Sequence, residues 1–239
     1  MNMIIIADAH ISQNNDTGAE FMAMLKALEN TTQDVVFLGD IFDLWIAFPR
    51  YETALHRDFL QWCREQQEHR KVLFLEGNHE FFVDEERRSA FTSYNDDIAG
   101  LQINDILFIH GDRINFNDKN YLRFRRLVKS RACRFFVHWV PCGRQIVHYF
   151  RSGIKKTNHN FRRFIPMTEI TAFARSVRDR GVKTIFIGHF HHAEIIQDAE
   201  QTICMLPDWL TTRKVMYFDP AANTFDCELW RDVIRRVSL

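Results

Sequence analysis

Seven side chains of metal-ligating type fall in five short clusters along this 239-residue chain: Asp8 with His10, Asp40, Asn78, His110, and His189 with His191. A further histidine, His79, adjoins the third cluster. Carboxylates, imidazoles and one amide oxygen make a mixed nitrogen and oxygen donor set, which suits Mn2+ and is compatible by ligand type with Zn2+ or Fe2+. Two divalent ions about 3.5–4 Å apart need a bridging anion, and a carboxylate such as Asp40 can fill that place. The chemistry implied is hydrolysis at phosphorus: paired cations lower the proton affinity of bound water and neutralise the charge that builds on a phosphoryl group during in-line attack. Asp40 and His79 are therefore the catalytic candidates. His79 could donate to a phosphoryl oxygen or protonate the departing one. The bland role for the same ring is a supporting hydrogen bond to Asp40 or another neighbour. Asp43 and Asp112 read as supporting groups.

Each cluster comes where an apolar run ends, and those runs are what must position it. Residues 3–7, 35–38 and 71–75 read as buried strands, closed by Asp8-Ala9-His10, Gly39-Asp40 and Gly77-Asn78-His79-Glu80. If the chain stays extended past residue 7, a period of two puts Asp8 and His10 on one side. Helices are expected over 18–30, with Phe21, Leu25 and Leu28 on one face, and over about 52–68, with Leu55, Phe59, Trp62 and Cys63. Strand alternating with helix signals α/β layering, and sites in such folds form beyond the carboxyl ends of strands. Residues 101–103 and 106–109 read as a hairpin leading to His110-Gly111-Asp112. Asp118 can cap a helix running to about Arg131 with Leu122, Leu127 and the flanking aromatics as its apolar side. A helix over 168–179 and a strand over 184–187 then deliver Gly188-His189-Phe190-His191. Three antiparallel strands follow, 195–196, 203–206 and 215–218, with 225–230 as a possible fourth. The reading is a discontinuous core of residues 1–112 and 166–239, with 113–165 inserted as a helical cap.

The formal net charge of zero hides a division: residues 113–163 hold 14 basic side chains against the single acid Asp118, leaving 17 basic and 30 acidic ones elsewhere. Aromatics interleave with the basic residues, among them Phe124, Phe135, Phe136, Trp139 and Tyr149. Together they suit a groove for apolar chains, or contact with an anionic membrane surface. No recognised nucleic-acid module accompanies the charge, so nucleic acid is not the expected partner. Five scattered cysteines without a C-x-x-C pair, and a start that reads as a strand rather than a leader, point to a reducing, cytoplasmic setting.

Asp8-Ala9-His10, Gly39-Asp40, Gly77-Asn78-His79-Glu80, His110-Gly111-Asp112 and Gly188-His189-Phe190-His191, in that order, resemble the calcineurin-like metallophosphoesterases. The resemblance implies a four-layer α/β/β/α sandwich with two mixed sheets. It assigns Asp8, His10 and His191 to one metal and Asn78, His110 and His189 to the other, with Asp40 bridging. Within that family, Phe37 to Ile46 and the run His110-Gly111-Asp112, Asp118, Tyr121, Phe124, Arg125 are similar to the UDP-2,3-diacylglucosamine pyrophosphatases of lipid A synthesis, as is Pro207-Asp208-Trp209. What this implies is an insert that covers acyl chains, and attack of water on the α-phosphate of a lipid-linked nucleotide. The products would be UMP and a lipid phosphate, released at the inner face of the membrane. Asp118, Arg125, Thr157 and Asn158 would contact substrate. Two departures stand out. Histidine and glutamate occupy positions 79 and 80, where that group has arginine and aspartate, and its Met-Asp-Val-Asn run after the cap is missing. A phosphodiesterase or phosphatase of smaller substrates, and a non-catalytic peripheral-membrane scaffold, are the alternatives.

Overall fold

The computed structural model describes residues 2–13, 16–139, 145 and 165–238. Its centre is a six-stranded sheet in the order β13-β12-β1-β2-β4-β6. The strands are β1 (Met3–Ile6), β2 (Asp34–Phe37), β4 (Val72–Leu75), β6 (Ser93–Asn95), β12 (Lys214–Asp219) and β13 (Thr224–Leu229). β1, β2, β4 and β6 run parallel, while β12 is antiparallel to β1 and to β13. The side-chain period of two sends alternate residues of β1 and β2 to opposite faces. Ile4, Ile6, Val35 and Phe37 meet Phe21 and Leu25 of α1 (Thr17–Leu28), Phe59 and Trp62 of α2 (Ala54–Gln66), and Val233 of α8 (Trp230–Val237). Ile5, Ala7, Val36 and Leu38 face the other way, onto Phe108, Phe186 and Cys204 of a second sheet.

That second sheet has five strands in the order β10-β11-β9-β8-β7. They are β7 (Leu101–Ile103), β8 (Ile106–Ile109), β9 (Thr184–Ile187), β10 (Glu194–Gln197) and β11 (Thr202–Met205). Its outer face, with Leu107, Ile109, Ile185 and Ile187, packs under Ile170 and Ala174 of α6 (Met167–Ser176). Three apolar seams thus separate four layers, helix, sheet, sheet and helix, as the sequence implied. A two-stranded ribbon, β3 (Trp45–Ile46) with β5 (Glu80–Phe81), stands beside the sandwich, and the short α3 (Glu85–Arg88) follows it in the chain. Leu44, Ile46, Phe48 and Phe81 form a fourth apolar cluster there with Val128 of α4 (Lys119–Val128) and Val137 of α5 (Arg131–Trp139).

Several expectations are corrected. Asp8 and His10 are not extended: both are left-handed, at φ 52° and 42°. The late strands do not form one antiparallel set, because β11 runs parallel to β9 in one sheet while β12 and β13 close the edge of the other. Strand β13 stops at Leu229, and Trp230 opens α8, burying Trp230, Val233 and Ile234 against the central layer. The helix expected from Asp118 to about Arg131 is capped by Asp118 but ends at Val128, a separate helix starting at Arg131, and its inward side is partly polar: Tyr121 and Arg125 are buried with Val128, while Leu127 is exposed.

Candidate metal centre and active site

The clusters converge where β1, β2 and β4 of one sheet and β8 and β9 of the other end side by side. The turns are bound to each other through the backbone. Asp8 N–H donates to the Gly39 carbonyl at 3.1 Å, and His10 N–H to the Asp40 carbonyl at 3.0 Å. Asp8, His10, Asp40, His189 and His191 all adopt positive φ, between 42° and 67°. Left-handed geometry costs a residue with a Cβ about 1–3 kcal/mol, and it persists only where the surroundings over-determine it. Here it turns five ligand-type side chains inward within four residues of the ends of β1, β2 and β9.

Two glycines make the approach possible. A Cβ on Gly77 would lie 2.2 Å from Asp40 Oδ1 and 2.6 Å from Asp40 N; one on Gly39 would lie 2.5 Å from His110 Nδ1. Glu80, fully buried, ties two turns together, with its carboxylate accepting from Asp40 N at 3.0 Å and Ile41 N at 2.9 Å of one and from Gly77 N at 2.8 Å of the other. Burial, then the like charge of Asp40, pushes its carboxyl up to about 8.

Two groups of donors share Asp40. On one side His191 Nε2 lies 3.4 Å from Asp8 Oδ1 and 3.4 Å from His10 Nε2, and His10 Nε2 lies 3.9 Å from Asp40 Oδ2. On the other, His110 Nε2 lies 3.5 Å from Asp40 Oδ2 and 3.2 Å from Asn78 Oδ1. A His189 ring nitrogen is within 4.8 Å of ligand atoms of Asp40 and His110. His79 reaches the same oxygen, its Nε2 standing 3.7 Å from Asp40 Oδ2, while its Nδ1–H donates to the Asp43 carbonyl at 2.6 Å. Supporting contacts fix the rest. His79 N–H donates to Asp40 Oδ1 at 2.9 Å and His189 N–H to Asp8 Oδ2 at 2.8 Å.

These residues fit a pair of cations. His110 Nδ1–H donates to the Leu38 carbonyl at 2.8 Å, so in the neutral ring Nε2 presents a lone pair toward two oxygen acceptors. Three acceptors facing one point require a positive charge among them. A cation seated there would supply it. The pull of the site on positive charge shows in the His110 ring itself: burial disfavours the imidazolium, but Asp40 and Asp8 outweigh that and hold the ring up to about 10 when no metal competes. Burial, aided by the neighbouring His79, drives His10 down to about 3, and burial with His110 drives His189 to about 4. Those two rings are neutral at physiological pH, the form in which an imidazole can ligate a metal. Asp8 Oδ1 is buried without a hydrogen-bond partner, a further position that a cation would satisfy.

Of the other residues singled out, Asp118 caps α4 by accepting from Tyr121 N at 2.9 Å. Arg125 is buried and pairs with Asp112, whose Oδ2 also accepts from Tyr121 Oη at 2.8 Å. Phe124 packs into the cluster beneath α4, whereas Phe135, Phe136 and Trp139 stand exposed on α5. Tyr149, Thr157 and Asn158 lie outside the described residues. Two contributors were missed in the sequence as site residues. Glu80 was visible only as part of its motif. Asp208 caps α7 (Trp209–Thr212) with its Oδ2, 2.7 Å from Thr211 N, and its Oδ1 lies 3.8 Å from His191 Nδ1. That short helix donates from Trp209 N and Leu210 N to the carbonyls of Ala7 and Asp8.

A model of the calcineurin-like phosphoesterase family matches residues 1–193. The UDP-2,3-diacylglucosamine hydrolase of Azotobacter vinelandii is 25% identical over 222 residues, 87% of this chain and 91% of that protein. The protein of the same name from Neisseria gonorrhoeae is 26% identical over 216 residues, 85% of this chain and 88% of its own. The structure of an archaeal phosphodiesterase aligns with a TM-score of 0.50 at 9% identity, covering 96% of this chain and 99% of that one, a likeness of fold alone. Because the family match runs through every ligand-bearing turn from Asp8 to His191, the chain belongs to the calcineurin-like phosphoesterase family and is a metal-dependent phosphoesterase.

Proposed function

We propose that the protein hydrolyses the pyrophosphate of a lipid-linked nucleotide, UDP-2,3-diacylglucosamine or a close analogue, giving UMP and a lipid phosphate. The single observation that carries the lipid part is the outer surface of α4 and α5. Leu127, Phe135, Phe136 and Trp139 are 61–68% exposed there, among the exposed Arg123, Arg126, Arg131 and Arg134. Exposed aromatics interleaved with cations suit acyl chains and phosphate headgroups better than water. The relatives' name supplies the nucleotide part. We read the surface as a peripheral contact with an anionic membrane. No helix among the described residues is long and apolar enough to cross one.

In this reading Asp8, His10 and His191 hold one divalent ion, Asn78, His110 and His189 the other, and Asp40 bridges them, with Mn2+ the best match to the donors. When bound, the ions supply a water of low proton affinity and neutralise phosphoryl charge. The protein's own groups do the rest. Asp43, through its carbonyl, fixes the Nδ1 proton of His79 and aims Nε2 into the site. With a second proton, Nε2 donates to a phosphoryl oxygen or to the leaving lipid phosphate. Water adds its oxygen to the α-phosphorus, the bond from that phosphorus to the bridging oxygen breaks, and the remaining proton passes to solvent or product. Incubating the Mn2+-loaded protein with UDP-2,3-diacylglucosamine in mixed micelles should release UMP in step with lipid phosphate. Absence of UMP under conditions where a small phosphodiester is turned over would overturn the substrate and leave a phosphodiesterase of other esters.

A further inference from the structure

We infer that Lys129, at the junction of α4 and α5, is a positioning residue for Asn78 and so for the second metal of the proposed pair, an inference that rests on the two-metal reading above. The inward side of α4 carries Tyr121, Arg125 and Lys129 at intervals of four residues, so that the three share one face of the helix. Each of the three binds a loop that bears a ligand. Tyr121 Oη and the Arg125 guanidinium meet Asp112, two residues after His110. Lys129 Nζ donates to the Gly77 carbonyl at 2.6 Å and to Glu76 Oε1, immediately before Asn78. The ammonium also stands 5.4 Å from the centre of the Phe81 ring, and Tyr94 Oη donates to the other oxygen of Glu76. The polar face of α4 therefore spans the Asn78 loop and the His110 loop, both assigned to one metal. It touches neither Asp8 nor His191 of the other.

The consequence is an asymmetry between the two cations. The Asp8, His10 and His191 group is held by its own strand ends and by α7, whereas the Asn78 and His110 group borrows part of its spacing from the α4 helix. The Asn78 loop has little slack to absorb a lost tether, because Gly77 Cα lies close under Gly39 and Gly77 N is already bound to Glu80. Releasing the Gly77 carbonyl thus frees the one backbone group that α4 controls. Outer partners of ligands are worth about 10–100-fold in metal affinity, the scale expected here.

Lys129→Met alone leaves Glu76 buried without its ammonium, so the decisive variant is K129M/E76Q, which removes both charges and restores a neutral interior. Calorimetric titration of metal-free protein with Mn2+ should give two equivalents in the wild type. In K129M/E76Q the first equivalent should bind within about 2-fold of wild type and the second about 10–100-fold more weakly. A thermal melt of the metal-free variants reports folding independently of activity. If Lys129 merely neutralises Glu76, the double variant will bind both equivalents as wild type does while K129M does not, and the positioning role falls. If the wild type itself binds a single equivalent, the two-metal reading falls, and this inference with it.

Discussion

Gly77 shows how narrowly single residues constrain the site. It is the point where the Asn78 loop crosses the Asp40 loop, and no heavy atom fits between them: an alanine Cβ there would meet Asp40 Oδ1 at 2.2 Å and the Asp40 nitrogen at 2.6 Å. One of those contacts is backbone, so relief requires moving the bridging carboxylate or the loop carrying Asn78. Displacements on the order of 1 Å cost catalysis about 100-fold. Gly77→Ala should therefore lower kcat/KM for bis-p-nitrophenyl phosphate by about that factor and weaken Mn2+ binding in the same samples. Near-wild-type turnover would show that the two loops are free to separate. The ligand residue types were legible in the sequence because their chemistry is local to their motifs. Their left-handed backbone was not: Asp and His enter that region more readily than most side chains, but it is the tertiary hydrogen bonds to neighbouring turns that hold Asp8, His10 and Asp40 there, and those cannot be read from the sequence.

Among the elements, α4 departs most from what its sequence suggests. Leu122, Leu127 and the flanking aromatics looked like its buried side; Tyr121 is buried and Phe124 packs there, but Leu127 is exposed and Arg125 turns inward, because Asp112 already lies buried behind His110 and needs a counter-charge. A buried ion pair is invisible to a hydrophobic period, which explains the error. The same blindness affected the last strands. Apolar runs at 203–206 and 215–218 announce strands, but which sheet each joins depends on the partners β9 and β1, far away in sequence. The parallel strands β1, β2, β4 and β9 were legible because burial on both faces leaves continuous apolar runs. The Asp112–Arg125 pair has a pH signature. Burial alone would raise the Asp112 carboxyl; the Arg125 guanidinium outweighs it and holds the group well below the usual carboxylate range. A depressed folded value means that the pair's stabilisation is present above an unfolded value of about 4 and fades as pH falls toward the folded one. Asp112→Asn, which strands Arg125 without its partner, should cost about 3–5 kcal/mol in urea unfolding of the metal-free protein at pH 7. The deficit should shrink below about pH 4. A deficit that is equal at pH 7 and pH 3 would mean that the Asp112 charge contributes nothing to folding.

At the scale of the whole molecule, charge is unevenly divided along the chain, and among the described residues α4 and α5 join exposed cations to exposed aromatics. Residues 113–163 concentrate the cations and the remainder carries the excess of acid, while α5 sets Phe135, Phe136 and Trp139 outward near the ribbon that bears Glu80 and Phe81. Helices α4 and α5 pack on the ribbon through Val128 and Val137, which meet Phe48 and Phe81, so these three aromatics lie outside that contact. Substituting exposed side chains away from such contacts changes stability by about 0.5 kcal/mol or less, which lets their function be tested apart from folding. Each aromatic that leaves water for an acyl chain would contribute about 1.5–3 kcal/mol. A Phe135→Ser, Phe136→Ser, Trp139→Ser triple variant should therefore lose at least about 10-fold in kcat/KM on UDP-2,3-diacylglucosamine in mixed micelles. The loss should lie mainly in KM, since the three side chains bind lipid in ground and transition state alike. Hydrolysis of the soluble bis-p-nitrophenyl phosphate should stay within about 2-fold, because that ester reaches the metals without touching α5. Equal losses on both substrates would place the aromatics in the chemistry of the site. No loss on either would return them to the status of incidental surface and remove the observation on which the lipid assignment stands.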